Sequence, residues 1–274
     1  MRTSDISIIL LLYNTPQEKI KNLLNYKNFN IFILDQSNDH ITKKKLKKLL
    51  PNIKYYKITK HNNGFAKSIN FLIKKVKTKF FLCTQIDVLI NKKTIINLKK
   101  AFIDNNDCIV SIPNFNNYNK SKKNLKIISK VKRFIGAIFL ADKTKFNKMG
   151  GFDENFFFYW EDVDFSKRVE NSKKFNIYEC KDSFAKHLYG KSTISSNKSK
   201  FIRLSNFKFG EYLFQYKHNK LRIIKIIREL FLRFLLFFMY IIFLNKDGFY
   251  KNLYFLVGIF KFYRFILINK VARL

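Results

Sequence analysis

Cysteine is too sparse and too scattered in this chain to build a framework. Cys83, Cys108 and Cys180 form no CxxC pair. That excludes a disulfide scaffold and a zinc site, and makes a reducing cytosol the default. Glycine-rich phosphate loops are missing too: neither GxGxxG nor GxxxxGK[ST] occurs, so neither nucleotide fold built on those loops is supported. The apolar run in the C-terminal part, residues 234–244, has eleven residues. A helix that crosses a bilayer needs about 20. The apolar run at 6–13 is too short for a signal peptide and is followed by Asn14, Thr15 and Pro16 rather than a cleavage site, so none is expected. No internal repeats and no recognisable RNA- or DNA-binding motif are present. Acids are scarce, 19 against 54 basic residues, for a net charge of +35.

Such a charge draws a protein to polyanions: nucleic acid, anionic lipid or phosphorylated substrates. Lys, Asn, Ile and Phe are abundant while Ala, Gly and Pro are scarce, as an AT-rich genome produces, and this weakens charge as a pointer to one partner. The 274 residues, 47% hydrophobic, suffice for one large α/β domain or a domain with an appendage.

Against this basic background one stretch stands out. Between Asp153 and Asp164, five acids fall within twelve positions: Asp153, Glu154, Glu161, Asp162 and Asp164. A helix is predicted to start near Trp160. Acids in its first turn suit the positive end of the helix dipole, which is reason enough for their presence and should keep Asp162 ionised.

Upstream, apolar runs alternate with helical patterns. Strands are predicted at 6–13, 30–34, 53–58 and 79–84, with helices after Thr15 and Pro16, over 42–50, and from about 65 to 76. The run at 6–13 is almost unbroken, as in a strand buried on both faces, and the alternation of strands and helices implies a parallel sheet with helices on both faces. In such sheets ligands bind outside the carboxyl ends of the strands. Asn14, Asp35, Asn62 to Gly64, and Asp87 all fall at those ends, four polar clusters on one rim. A helix over 93–103, a strand at 108–113, a loop at 114–124, a strand at 132–141 in which Gly136 allows close backbone approach, and short strands at 175–180 and 183–187 complete this part.

From about residue 196 the pattern changes. A helix is predicted over 196–216, then two aromatic-rich segments at 221–244 and 252–268. Residues 201–274 hold fourteen basic and three acidic residues. Apolar faces with Lys and Arg suit helices lying in a membrane interface; the alternative is packing on the core or on a second subunit.

These residues fall into an ordered series: Tyr13 and Asn14; Asp35; Asn62, Gly64, Phe65 and Ala66 with Asn70; Gln85, Asp87 and Val88; Gly150-Gly151-Phe152-Asp153-Glu154 running to Glu161-Asp162-Val163-Asp164-Phe165; and His187, Gly190 and Ser192. Over residues 5–195 the series resembles the family 2 glycosyltransferases, and especially their rhamnosyltransferase-like branch.

The resemblance implies a GT-A fold, an α/β domain at 1–195 with a mostly parallel sheet flanked by helices, followed by a basic, amphipathic helical appendage at 196–274. It implies an inverting transferase that moves a sugar, rhamnose by branch, from a nucleotide-sugar donor to a lipid-linked or growing-glycan acceptor. Asn14, Asp35, Asn62, Gly64 and Gln85 would line the nucleotide site. Asp87 would hold Mg²⁺ or Mn²⁺, with His187 as a second ligand. Asp162 would be the general base, with Glu161 and Asp164 at the acceptor. Gln85 departs from the family, where Asp or Asn is usual. The QxxRW motif of processive synthases is missing, which favours one sugar per binding event.

The expected location is cytoplasmic, peripheral on the inner face of the membrane, with a homodimer as the other use of the aromatic tail and no specific nucleic-acid partner. Read without the resemblance, Glu161 and Asp164 could instead hold the base role or form structural pairs, and His187 is an ordinary strand-end histidine. A catalytically degenerate binding or scaffold protein and a non-specific nucleic-acid binder are the competing functions.

Overall fold

The computed structural model describes residues 4–37, 41–115, 127–188 and 193–271. Most of the predicted loop at 114–124 lies outside the described residues, as do Gly190 and Ser192. The chain divides into two compact units. One comprises Met1–Glu154 and Glu161–Ile194; the other comprises Asn155–Trp160 and Ser195–Leu274.

The first unit is an eight-stranded mixed sheet in the order β3-β2-β1-β4-β8-β6-β9-β7 among the described residues. The strands β1 (Ile6–Leu12), β2 (Asn30–Asp35), β3 (Ile53–Ile58) and β4 (Phe80–Thr84) are mutually parallel. Each crosses over through a helix: a 3-10 helix at Gln17–Tyr26, α1 (Ile41–Leu49) and α2 (Phe65–Lys75). β1 and β4 are apolar along almost their whole length because both faces are covered, the condition of central parallel strands.

A two-residue β5 (Val88–Leu89) and the short helices α3 (Lys92–Leu98) and α4 (Lys100–Asp104) lead to β6 (Cys108–Asn114). The single helix expected at 93–103 is thus two, separated at Lys99. The strand expected at 132–141 is corrected as well. β7 (Ile128–Val131) and β8 (Ile138–Asp142) flank a non-strand segment at 132–137. Its apolar residues Phe134 and Ala137 are buried as the chain turns, and apolarity alone does not distinguish that from a strand.

After α5 (Lys143–Lys148) and α6 (Glu161–Ser172), the two short strands expected at 175–187 form one longer β9 (Asn176–Phe184) and a two-residue β10 (Lys186–His187).

Register decides where the polar ends of these strands go. Leu12 pairs with Asp35, and Leu10 with Thr84, so the residues after β1, β2 and β4 emerge at one rim. β8 runs antiparallel to β4 with Ile138 opposite Thr84, which brings Gly136, just before β8, to the same rim.

The acidic stretch is seated on this sheet by its phenylalanines. Phe81, Phe139, Phe146, Phe152 and Phe165 are all within 1% of full burial. Phe146 stacks on Phe165 at 4.3 Å and meets Phe152 edge-on at 5.2 Å. Such contacts add to simple burial and fix the approach of α6 to β4 and β8. Asn70 on α2 clamps the same turn: its Nδ2 donates to Phe152 O at 2.8 Å and its Oδ1 accepts from Phe152 N–H at 3.0 Å. Gly151 sits there at φ +68°, and a Cβ would lie 2.8 Å from Asn70 Oδ1, so both backbone and space require glycine.

The second unit consists of α7 (Asn197–Lys217), α8 (Ile223–Ile242) and α9 (Lys246–Val271) with the segment 155–160. Its core gathers Phe156, Phe209, Tyr212, Leu213, Ile226, Ile259 and Phe262. Gly258 lets α9 approach α7 closely; a Cβ there would fall 2.4 Å from Ser205 O.

Candidate active site

The rim of the first unit carries the polar residues that the strand ends deliver. Asp87 lies in the turn between β4 and β5, fully buried. That turn is tied down on three sides. Val88 N–H donates to Gln85 O at 3.1 Å. Asn22 of the 3-10 helix donates to Ile86 O at 3.0 Å. Leu188 N–H donates to Asp87 O at 2.9 Å. The last bond belongs to the small β5–β10 ladder, in which His187 pairs with Val88. A hundred residues of chain are thereby closed, and His187 Nε2 comes to 3.6 Å from Asp87 Oδ2. Gln85, which opens the same turn, is half-buried.

Asp35 and its neighbours form the opposite end of the rim. Asp35 is fully buried, with Oδ1 accepting from Ser37 N–H at 2.9 Å and Oδ2 from the Tyr56 hydroxyl at 2.8 Å. Both oxygens are therefore engaged already, and a nucleobase contact there must share or displace Tyr56. Asn14, at φ +43°, is exposed; its N–H donates to Ser37 Oγ at 2.8 Å. Asn62 Oδ1 accepts from Gly64 N–H at 2.9 Å, and Gly64 at φ +78° opens α2. This cluster contains a residue the sequence reading passed over. Gln36, 4% exposed, accepts from Asn63 N–H at 2.5 Å and from the Ser68 hydroxyl at 3.3 Å. Its position directly after Asp35 was the available signal.

The acidic pair at the start of α6 faces Gly136. Asp162 Oδ2 accepts from Gly136 N–H at 2.7 Å and Oδ1 from Val163 N–H at 2.8 Å. Burial nevertheless pushes the Asp162 carboxyl above the usual aspartate range, more than these N–H bonds and the nearby Arg133 bring it down. Desolvation thus works against the ionised form that the helix start favours. Arg133 is exposed, and nothing in its sequence context separated it from 53 other basic residues.

Glu161 is 5% exposed, and its Oε2 has no hydrogen-bond partner among the described residues. Burial first, then the charge of Asp162, raises its carboxyl well above the ordinary range. A carboxyl so placed costs stability when ionised. Its folded-state pKa exceeds the unfolded one, so the cost appears as pH rises above about 4.3 and levels off beyond the raised value. Glu161→Gln should therefore match wild type in thermal melts at about pH 4 and be more stable by about 1 kcal/mol at about pH 8. A variant without this pH-dependent gain would contradict the assignment.

Asp164, for which an acceptor role is expected, is held in an ion pair with Arg168. It is 2% exposed and its Oδ2 accepts from Arg168 Nε at 2.8 Å. Arg168 in turn donates to Gly151 O at 2.7 Å and to Met149 O. Asp164 lies two residues beyond Asp162, about 200° round the helix, and through Arg168 it is tied to the loop that carries Gly150 and Gly151. Just before α6, Tyr159 and Trp160 stand at φ +70° and +73°. Consecutive left-handed aromatic residues are strained, as residues beside active sites often are.

Comparison with known proteins decides which family this rim belongs to. The profile of Glycosyl transferase family 2 matches residues 7–165, more than half of the chain. The chain belongs to glycosyl transferase family 2. The match ends at Phe165, so the whole rim from β1 to the Glu161–Asp162 pair lies within the family 2 region, and His187 lies beyond it.

Solved structures share the GT-A fold at low identity. GalNAc-T7 with UDP, GalNAc and Mn²⁺ superposes with a TM-score of 0.57 at 13% identity, over 76% of this chain and 47% of that one. The mannosyltransferase PcManGT from Pyrobaculum calidifontis, in complex with GDP-Man and Mn²⁺, gives 0.57 at 13%, over 76% and 64%. S. aureus TarS gives 0.50 at 16%, over 81% and 44%. This family 2 chain thus spans about half to two thirds of the length of the structures it resembles. No curated protein matches it.

Proposed function

We propose that the chain is an inverting, metal-dependent glycosyltransferase that moves one sugar from a nucleotide-sugar donor to a hydroxyl of a lipid-linked or growing-glycan acceptor. The observation that carries this reading is the convergence on one rim of Asp87 beside His187 and of Asp162 held against Gly136. The Mn²⁺ and nucleotides named for GalNAc-T7 and PcManGT support the choice of donor and ion.

The donor set suits a metal brought in with a nucleotide. Among the described residues no group of three His, Cys, Asp or Glu could cage an ion. One carboxylate and one imidazole at 3.6 Å leave the remaining positions to phosphate oxygens and water, and the imidazole favours Mn²⁺ over Mg²⁺. When bound, such an ion offsets the charge that gathers on the departing diphosphate.

The chain's own residues do the rest. Asn62, Gly64 and Gln85 border the space for the nucleotide, with the Asp35–Tyr56 pair behind it. Asp162 takes the proton of the attacking hydroxyl through whichever oxygen lone pair Gly136 and Val163 leave open. Its raised pKa makes it a stronger base than an ordinary aspartate. Attack from the face opposite the leaving diphosphate inverts the anomeric centre.

Radiolabelled nucleotide sugars, dTDP-rhamnose among them, incubated with bacterial lipid extract and Mn²⁺ test the proposal. Label should move into the lipid or glycan fraction for one donor, with release of its nucleoside diphosphate. A folded protein that transfers and hydrolyses none of them would overturn it.

A further inference from the structure

The second unit holds a helix built inside out. α8 turns Glu229 and Arg233 inward: Glu229 accepts from Tyr212 Oη at 2.6 Å and pairs with Lys208 at 2.8 Å and Arg233 at 2.9 Å. Arg233 reaches Asn252 on α9 at 3.1 Å, and Asn252 Nδ2 returns a bond to Arg233 O. Burial opposes the charge of Glu229, but the bonds from Lys208, Tyr212 and Arg233 bring its carboxyl down to about 2. This network fixes which face of α8 points at α7 and α9.

The opposite face is a continuous apolar stripe. Ile223, Ile227, Phe231, Phe234, Phe238 and Ile242 recur at intervals of three and four, the spacing of one helical face, and each is 54–74% exposed. At 1.5 Å per residue the stripe runs about 30 Å. It continues into the turn at Phe243 and Leu244, 72% and 84% exposed. An apolar surface of that length is larger than folded monomers usually leave in water.

We propose that this face is inserted in the surface of an anionic phospholipid membrane, with α8 lying in the plane of the interface. Charge decides between lipid and a second copy. The exposed charged residues bordering the stripe are the basic Arg222, Arg228 and Lys246, against a single acid, Asp247. Glu211 and Glu229 are occupied by Lys208. Two copies meeting face to face would bring these cations together in a chain of net charge +35, whereas anionic headgroups complement them. The helix lies rather than crosses, because no helix among the described residues is long and apolar enough to span a membrane. The inference rests on the second unit alone and stands apart from the sugar-transfer reading.

The test is sedimentation of the full chain with phosphatidylcholine vesicles, with and without phosphatidylglycerol. A triple variant Phe231→Ser, Phe234→Ser and Phe238→Ser serves as comparison; the positions are exposed, and circular dichroism checks that it folds. A single Phe238→Cys variant carrying an environment-sensitive dye adds a second readout, selective because the three native cysteines are buried. The wild type should bind the anionic vesicles, the dye should brighten on them, and the triple variant should bind about tenfold more weakly or less. No vesicle binding by the wild type, or equal binding by the triple variant, would overturn the proposal. A wild-type dimer in solution that the triple variant dissociates, without vesicle binding, would assign the face to a second copy instead.

Discussion

Asp162→Asn should lower the rate of sugar transfer by about 10²–10⁴-fold, the range a positioned base contributes, and leave donor affinity little changed. The substitution is nearly isosteric, and Asn Oδ1 can still accept from Gly136 N–H, as Asp162 Oδ2 does at 2.7 Å. What disappears is a lone pair able to take a proton. The wild-type profile carries a second signature. Burial holds the Asp162 carboxyl above the ordinary aspartate range, so activity should rise with pH through that raised value rather than near 4. Steady-state kinetics across pH on both proteins check both statements. A variant that keeps wild-type turnover would move the base elsewhere, and Glu161, buried next to it with one oxygen unpaired among the described residues, is where one would look.

Asp87→Ala should remove the metal-dependent part of nucleotide binding, a loss of about 100-fold or more in Mn²⁺ affinity measured with nucleotide present. Its turn is held by backbone bonds at Val88 and Leu188 and by Asn22, none of which uses the Asp87 side chain, so the loop should survive the change. His187 alone leaves too few protein ligands for a hard cation. Electron paramagnetic resonance of free Mn²⁺ in the presence of nucleoside diphosphate reads the effect directly. Unchanged Mn²⁺ binding would show that the ion, if used, sits elsewhere.

How much of this was legible in the sequence follows from the range of each interaction. The first four strands and their rim were readable because β1, β2 and β4 are apolar runs that stop at a polar residue, and β3, a β-branched and aromatic segment with lysines, fits the same alternation with helices. The pattern is local, and parallel register aligns the stops. The segment at 132–137 was misread because Phe134 and Ala137 are buried without being in a strand. The raised pKa of Asp162 has a similar origin: the helix start is visible in sequence, but desolvation is a tertiary property. His187 could be tied to Asp87 only through the motif series, since the β5–β10 ladder joins residues a hundred apart. The stripe on α8 was visible as periodicity. Its outward direction was not, because that depends on Glu229 and Arg233 finding Lys208, Tyr212 and Asn252.

Calorimetric titration of the wild type with UDP, dTDP and GDP, each with and without Mn²⁺, bears most directly on the central claim that the rim is a nucleotide-sugar site. One nucleotide should bind, and bind much more tightly with the ion than without it. If a folded sample binds none of the three in either condition, Asp87, His187 and Asp162 share a rim for some other reason, and the glycosyltransfer reading fails.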